Sequence, residues 1–164
     1  MKVETTIQEA SPQEPASTTS GWRITLGRLG ERRAIQALEE LGWQIIATNW
    51  RCGRFGEIDI IARDTSKMLI FCEVKTRMLS GHQEGFRNEG FEAVHWKKRR
   101  KIVMCAMSYM REFSPLHRAC RFDVIAVEYQ KPNKYISLRT NPDQALAQIA
   151  NQLPIIRHVQ GAFC

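Results

Sequence analysis

Two short apolar runs with charges set into them dominate the hydropathy pattern of this chain. Gly56-Glu57-Ile58-Asp59-Ile60-Ile61-Ala62 and Met68-Leu69-Ile70-Phe71-Cys72-Glu73-Val74-Lys75-Thr76-Arg77 are rich in Ile, Val and Phe, and Asp64-Thr65-Ser66-Lys67 lies between them. Such runs around a turn cluster predict two antiparallel strands of a hairpin. Upstream, Leu26, Leu29, Ala34, Leu38 and Leu41 recur at helical spacing, predicting an amphipathic helix over 25–41 with Thr25 as N-cap and Gly42 as its stop. A first strand is expected over 43–49 and a turn over 51–54. The loop over 78–90 carries three glycines; it suits a substrate-facing flap, although a plain surface loop is the commoner case.

Further along, a long helix is expected over 91–113 and a strand over 121–129. A short strand over 135–138 would pair with it through Lys131-Pro132-Asn133-Lys134. Asn141-Pro142 opens a helix over 143–152, Pro154 stops it, and an edge strand follows over 155–159. Residues 1–21, rich in Ser, Thr, Gln, Glu and Pro, lack apolar periodicity and are expected to be a disordered extension. The domain proper is expected over 22–140, with 141–164 as a C-terminal helix and tail packed on it. A chain of 164 residues fits one domain, which at this size buries roughly 70% of its unfolded surface.

The charges inside the hairpin need a physical reason. Side chains alternate along a strand, so Glu57, Asp59 and Ile61 share one face, and Leu69, Phe71, Glu73 and Lys75 share one face of the partner. A loop of three or five residues centred on Ser66 sets Asp59 opposite Glu73 and Glu57 opposite Lys75. A two-residue turn at Thr65-Ser66 would send Glu73 to the other side of the sheet. In the first register, which we favour, two carboxylates meet at about 5 Å, where their repulsion at an effective dielectric near 20 is about 3 kcal/mol. Cross-strand contacts worth about 0.2–1 kcal/mol each do not offset that. A hard cation such as Mg²⁺ does, and Lys75 on the same face would orient an attacking water. The plainer reading pairs Glu57 with Lys75 and leaves Asp59 and Glu73 at a solvated edge.

Asp59 followed by Glu73-Val74-Lys75 on the next strand resembles the PD-(D/E)xK signature of restriction-endonuclease-like and Holliday-junction-resolvase-like nucleases. The wider pattern is more specific: Gly30-Glu31 with Ala34 and Leu38, Gly42-Trp43, Asn49-Trp50-Arg51, the two charged runs, Ala93-Val94 with Lys98, Arg121-Phe122-Asp123-Val124, and Gly161-Ala162-Phe163. It is similar to the YraN family of bacterial proteins over about residues 22–129. The resemblance implies an α/β fold of the restriction-endonuclease-like, resolvase-like kind, with a mixed sheet flanked by helices in a single domain. It further implies a metal-dependent endonuclease acting on DNA, with Asp59 and Glu73 as ligands of Mg²⁺ or Mn²⁺, Glu31 of the first helix reaching the metal, Lys75 as the fourth catalytic residue, and a homodimer. The alternative is a nucleic-acid-binding protein that keeps the fold without turnover; a third reading is a protein-interaction scaffold.

Net charge sharpens the choice of partner. At +7 the chain suits a polyanion such as nucleic acid, most simply DNA. Arg51, Arg54, Arg63 and Arg77 crowd the strand ends, where they would either hold phosphate oxygens or merely balance the acids. Lys97-Lys98-Arg99-Arg100-Lys101 covers the whole circumference of the long helix. Lys98 shares the apolar stripe of Val94, Ile102, Ala106 and Phe113, so its ammonium needs an acidic partner; the other four form a phosphate-contacting face or a solvated one. Five dispersed cysteines read as reduced thiols, and the four histidines show no zinc spacing, so each is expected on a surface or in a loop. With no run of about 18 apolar residues and no signal-like N-terminus, a cytoplasmic protein off the membrane is expected.

Overall fold

In the computed structural model, residues 21–79, 96–113, 119–132, 138 and 140–163 are described. Helix α1 (Gly21–Glu40) leads into β1 (Gln44–Arg51), β2 (Glu57–Arg63) and β3 (Leu69–Leu79). Helix α2 (Trp96–Phe113), β4 (Cys120–Gln130), α3 (Pro142–Ala150) and β5 (Ile155–Phe163) complete the order. The strands form one mixed sheet in the order β1-β2-β3-β4-β5. Among the described strands only β3 and β4 run parallel, and the crossover that such a pair requires carries α2.

The described residues form a single α/β domain with three helices on a five-stranded mixed sheet, in agreement with the resolvase-like fold. Leu26, Leu29, Ala34 and Leu38 of α1 and Ile149 of α3 pack on Ile60, Ala62, Ile70, Cys72, Ile125, Val127 and Tyr129. On the opposite face Ile102, Cys105, Ala106 and Tyr109 of α2 cover Ile61, Phe71, Phe122 and Val124. Both faces of the first half of β3, Leu69 to Val74, and of most of β4 are thus sealed, which is why those stretches are largely apolar.

Gly42 stops α1 as expected. Its φ of 76° is left-handed, its N–H donates to Glu39 O, and the Trp43 N–H donates to Leu38 O at 3.0 Å, the paired bonds of a Schellman motif. The start of α1 differs from expectation. The helix includes Gly21, and Thr25 is no cap, because its hydroxyl bonds back to Gly21 O. The inward stripe of α2 also differs: Tyr109 is buried, whereas Phe113 is 55% exposed. Strand β3 runs two residues past Arg77, and β5 four residues past Val159. Leu138 sits in a turn rather than a strand. The expected extension over 1–20, most of the flap, the start of the long helix including Val94, and positions 135–137 lie outside the described residues.

The hairpin has the favoured register. Ile60–Cys72, Ile61–Phe71, Ala62–Ile70 and Arg63–Leu69 are partners, with a loop of the five residues 64–68 between the strands. Asp64 closes it: Oδ1 accepts hydrogen bonds from the Ser66 and Met68 N–H groups and from the Ser66 hydroxyl. Lys67 takes the left-handed conformation there, with φ 70°.

Candidate functional site

The ladder between β2 and β3 ends at Ile60–Cys72, one step before Asp59 and Glu73. At that step a side chain replaces a backbone partner, since Asp59 Oδ2 accepts the Val74 N–H at 2.7 Å. Alternation also breaks there: Ile58 and Ile61 pack toward α2, while Ile60 packs toward α1. Asp59 therefore sits in the fork where two strands part, only 8% exposed. Burial, and then the Glu73 carboxylate beside it, push its carboxyl up to about 7. The first register thus brings the two acids together.

Glu73 is more buried still, at 2% exposure. Its Oε1 receives the ammonium of Lys75 and, at 2.9 Å, that of Lys98, while Oε2 is buried without a hydrogen-bond partner. For Lys98 burial works against the charge, but the Glu73 carboxylate outweighs it and raises the ammonium above its ordinary range. The acidic partner expected for a lysine on the apolar stripe is therefore Glu73. The expected Glu57–Lys75 facing pair does not form, because the strands have already separated. Glu57 pairs with Arg51 on β1 instead, at 3.5 Å.

Glu31 approaches from α1. It is close enough for its charge to help raise Asp59, and its Oε2 accepts a hydrogen bond from Asn49 Nδ2 at 3.1 Å. Asn49 lies between the pairs Thr48–Ile60 and Trp50–Ile58, hence across from Asp59, with a φ of 50°. Asparagine tolerates that left-handed conformation better than most residues. Among the described residues no three acidic, histidine or cysteine side chains are grouped as a ready cation site. The donors nonetheless suit a hard divalent ion, with one carboxyl destabilised by its neighbour and an orphaned buried oxygen on the other.

Residues 30–127 match the family model described as "Uncharacterised protein family UPF0102". The chain belongs to this family. It is the YraN family to which the motifs pointed. Among UPF0102 relatives, a protein of Synechococcus sp. (strain JA-3-3Ab) is 44% identical over 110 residues, 66% of this chain and 79% of that protein. Another, of Acidothermus cellulolyticus (strain ATCC 43068 / DSM 8971 / 11B), is 34% identical over 155 residues, 88% of this chain and 98% of that one. The matched segment contains Glu31, Asp59, Glu73, Lys75 and Lys98, and stops short of α3 and β5.

The basic residues outside the UPF0102 carboxylate centre divide among several places. A cleft of about 390 Å³ is lined by Arg51, Gly53, Phe55, Gly56, Glu57, Lys98, Lys101 and Ile102, so Arg51, Lys98 and Lys101 share one concavity. Arg54 lies over the Phe55 ring and Lys97 over Trp96. Arg99 lies over Phe163 of β5, Arg100 is exposed, and Arg77 pairs with Glu128. The basic run of α2 is thus not one continuous face.

Asn49 stood in the family pattern without an assigned role, and His158 was expected on a surface or in a loop. His158 is a strand residue whose Nε2 lies 2.8 Å from Asp123 Oδ2. Asp123 also accepts from Arg121 Nε and Nη2 and from the Gly161 N–H. These partners lower its carboxyl although burial alone would raise it. The sequence signal was available as Arg121-Phe122-Asp123, a same-face pair of opposite charge on one strand, but His158 lies 35 residues further on.

Proposed function

We propose that this protein is a metal-dependent nuclease that hydrolyses phosphodiester bonds, with DNA as the favoured substrate. The observation that carries this reading is the meeting of Asp59 and Glu73 in the β2–β3 fork, both buried, with two ammonium groups on Glu73. Asp59 and Glu73 would hold Mg²⁺ or Mn²⁺, with Glu31 as the third acid. When bound, such an ion supplies Lewis-acid activation of water and stabilises the charge that develops on the phosphate. The Val74 N–H fixes one oxygen of Asp59 and so orients the other. Lys75 holds Glu73 in place and positions the attacking water. Lys98, with Arg51 and Lys101 in the adjoining cleft, binds the phosphodiester backbone.

Arg54, Arg77, Lys97, Arg99 and Arg100 extend the basic surroundings, whose attraction for DNA weakens steeply with salt. A homodimer would place two such centres on one branched substrate. The second reading is a nucleic-acid binder without turnover. One observation favours it: two lysines already neutralise Glu73, with no three-ligand group among the described residues.

The test is a cleavage assay on linear, flapped and four-way DNA with and without Mn²⁺, beside Lys75→Ala, Asp59→Asn and Glu73→Gln. Metal-dependent cleavage lost in all three variants supports the nuclease. Salt-dependent DNA binding with no cleavage by the wild type, with or without Mn²⁺, supports the binder.

A further inference from the structure

The turn between β1 and β2 is rooted in the core at one end and stands clear of it at the tip. Cys52 is buried with Ile102 and Cys105 of α2. Its N–H donates to Gly56 O at 2.9 Å, and its carbonyl accepts the Phe55 N–H at 2.9 Å. Gly56, with φ 122°, takes a backbone conformation that side chains rarely adopt. The turn so closed holds Phe55 36% exposed. The Arg54 guanidinium, 5.5 Å from the ring centroid, adds a cation–π contact that restrains the ring.

A single exposed apolar side chain is ordinary. Phe55 differs because it lines the cleft of about 390 Å³ together with Ile102 and the cations Arg51, Lys98 and Lys101. Lys101 is exposed. The contact of Arg51 with Glu57, at 3.5 Å between exposed side chains, is weak enough to exchange for a phosphate. Lys98 ties the cleft to the carboxylate centre through its 2.9 Å contact with Glu73. Cations alone would serve a duplex, which presents phosphates and hides the faces of its bases in the stack. An aromatic ring among cations serves a strand whose bases are unstacked, because every base offers a flat π-face whatever its sequence. The volume agrees. It lies near the lower end of small-ligand sites, which span about 300–1,000 Å³, and a concavity of that size takes one nucleotide rather than a double helix.

We propose that this cleft is a single-strand subsite, in which Phe55 stacks on the base of the nucleotide next to the scissile phosphate while Lys101 and Arg51 hold that nucleotide's backbone. The proposal rests on the nuclease reading and narrows its substrate. The enzyme engages a single-stranded or flapped segment of DNA beside the bond it cleaves, not a continuous duplex. A ring fixed on a closed turn loses little freedom when a base stacks on it, which favours binding.

The test measures binding of the full chain by fluorescence anisotropy, in a buffer whose chelator holds cleavage off. Three labelled probes are used: an oligothymidylate, an abasic oligomer of the same length, and a blunt duplex. Phe55→Ala should bind the oligothymidylate at least about five-fold more weakly, the low end for a base–aromatic stack. It should bind the abasic oligomer and the duplex as the wild type does, and Phe55→Trp should restore the affinity. The slope of log affinity against log salt should not change in Phe55→Ala, whereas Lys101→Ala should lower the single-strand slope by about 0.7. If Phe55→Ala melts early, Phe55→Leu keeps apolar bulk without a flat face and must show the same selective loss. Unchanged affinity for the oligothymidylate, an equal loss on the abasic oligomer, or an unchanged slope in Lys101→Ala overturns the proposal. Absence of salt-dependent binding to all three probes in the wild type would instead remove the nuclease reading together with this one.

Discussion

Lys98 Nζ lies 2.9 Å from Glu73 Oε1, joining the basic turn of α2 to the buried acid of β3. Lys75 meets the same oxygen, so Glu73 keeps one cation when the other is removed. Lys98→Met should therefore destabilise the fold by only about 1–2 kcal/mol, less than a fully broken buried pair. Glu73→Gln combined with Lys98→Met should cost less than the two single changes added together. A double-mutant cycle by urea unfolding checks this, and strict additivity would show that the contact carries no energy.

Gly30 lets α1 touch β3. A Cβ built there would lie 1.8 Å from Thr76 Oγ1 and 2.9 Å from Thr76 Cβ, and Glu31 is the next residue. Gly30→Ala should push the helix away from the strand and destabilise the protein by about 1–3 kcal/mol, the usual cost of overpacking. Thr76→Ala removes the shortest contact, so the double variant should recover part of the loss. Thermal melts of the three variants decide; equal stability of Gly30→Ala and wild type would contradict the close approach.

Asp59 predicts a trade of stability for function. Its folded carboxyl, pushed to about 7 by burial and by Glu73 from an ordinary 3.8, retains a proton that the unfolded chain has already released. Stability from this group is present below pH 4 and is lost as pH rises toward 7. Asp59→Asn, which can still accept the Val74 N–H, should be more stable than wild type at pH 8, on the order of 1–3 kcal/mol. The gap should close toward pH 4. Adding Mn²⁺ at pH 8 should raise the wild-type melting temperature and leave that of Asp59→Asn nearly unchanged.

Asp123 has the opposite sign. Burial would raise its carboxyl, but His158, Arg121 and the Gly161 N–H together hold it below the ordinary value. Its contribution is complete above pH 4 and disappears as pH falls through the folded-state pKa. Asp123→Asn should cost about 2–4 kcal/mol at pH 7, since Arg121 and His158 lose their acid. Chemical denaturation at pH 7 and pH 3 should show the difference from wild type shrinking in acid.

Much of this architecture was legible in the order of residues. Period-two alternation narrowed the hairpin to two registers, and the favoured one, centred on Ser66, is the one that forms. Lys98 betrayed its partner by lying on an apolar stripe, where an unpaired ammonium would be costly. Gly42 marked the end of α1 because only a residue at ease with positive φ closes a Schellman turn. Phe113 misled for the same reason that Lys98 did not: periodicity fixes the direction in which a helix faces, but not where its sheet runs out beneath it.

The sequence by itself determined most of the helices and strands and narrowed the charged hairpin to two registers, since those depend on neighbours close along the chain. Tertiary structure decided what lies between distant segments. It set Asn49 on Glu31, His158 on Asp123 and Arg157 on Glu128, and it parted β2 from β3 before Glu57 could meet Lys75. Local pattern could not foresee these, because a buried polar group must find a partner but nothing in its own segment says which strand will bring one.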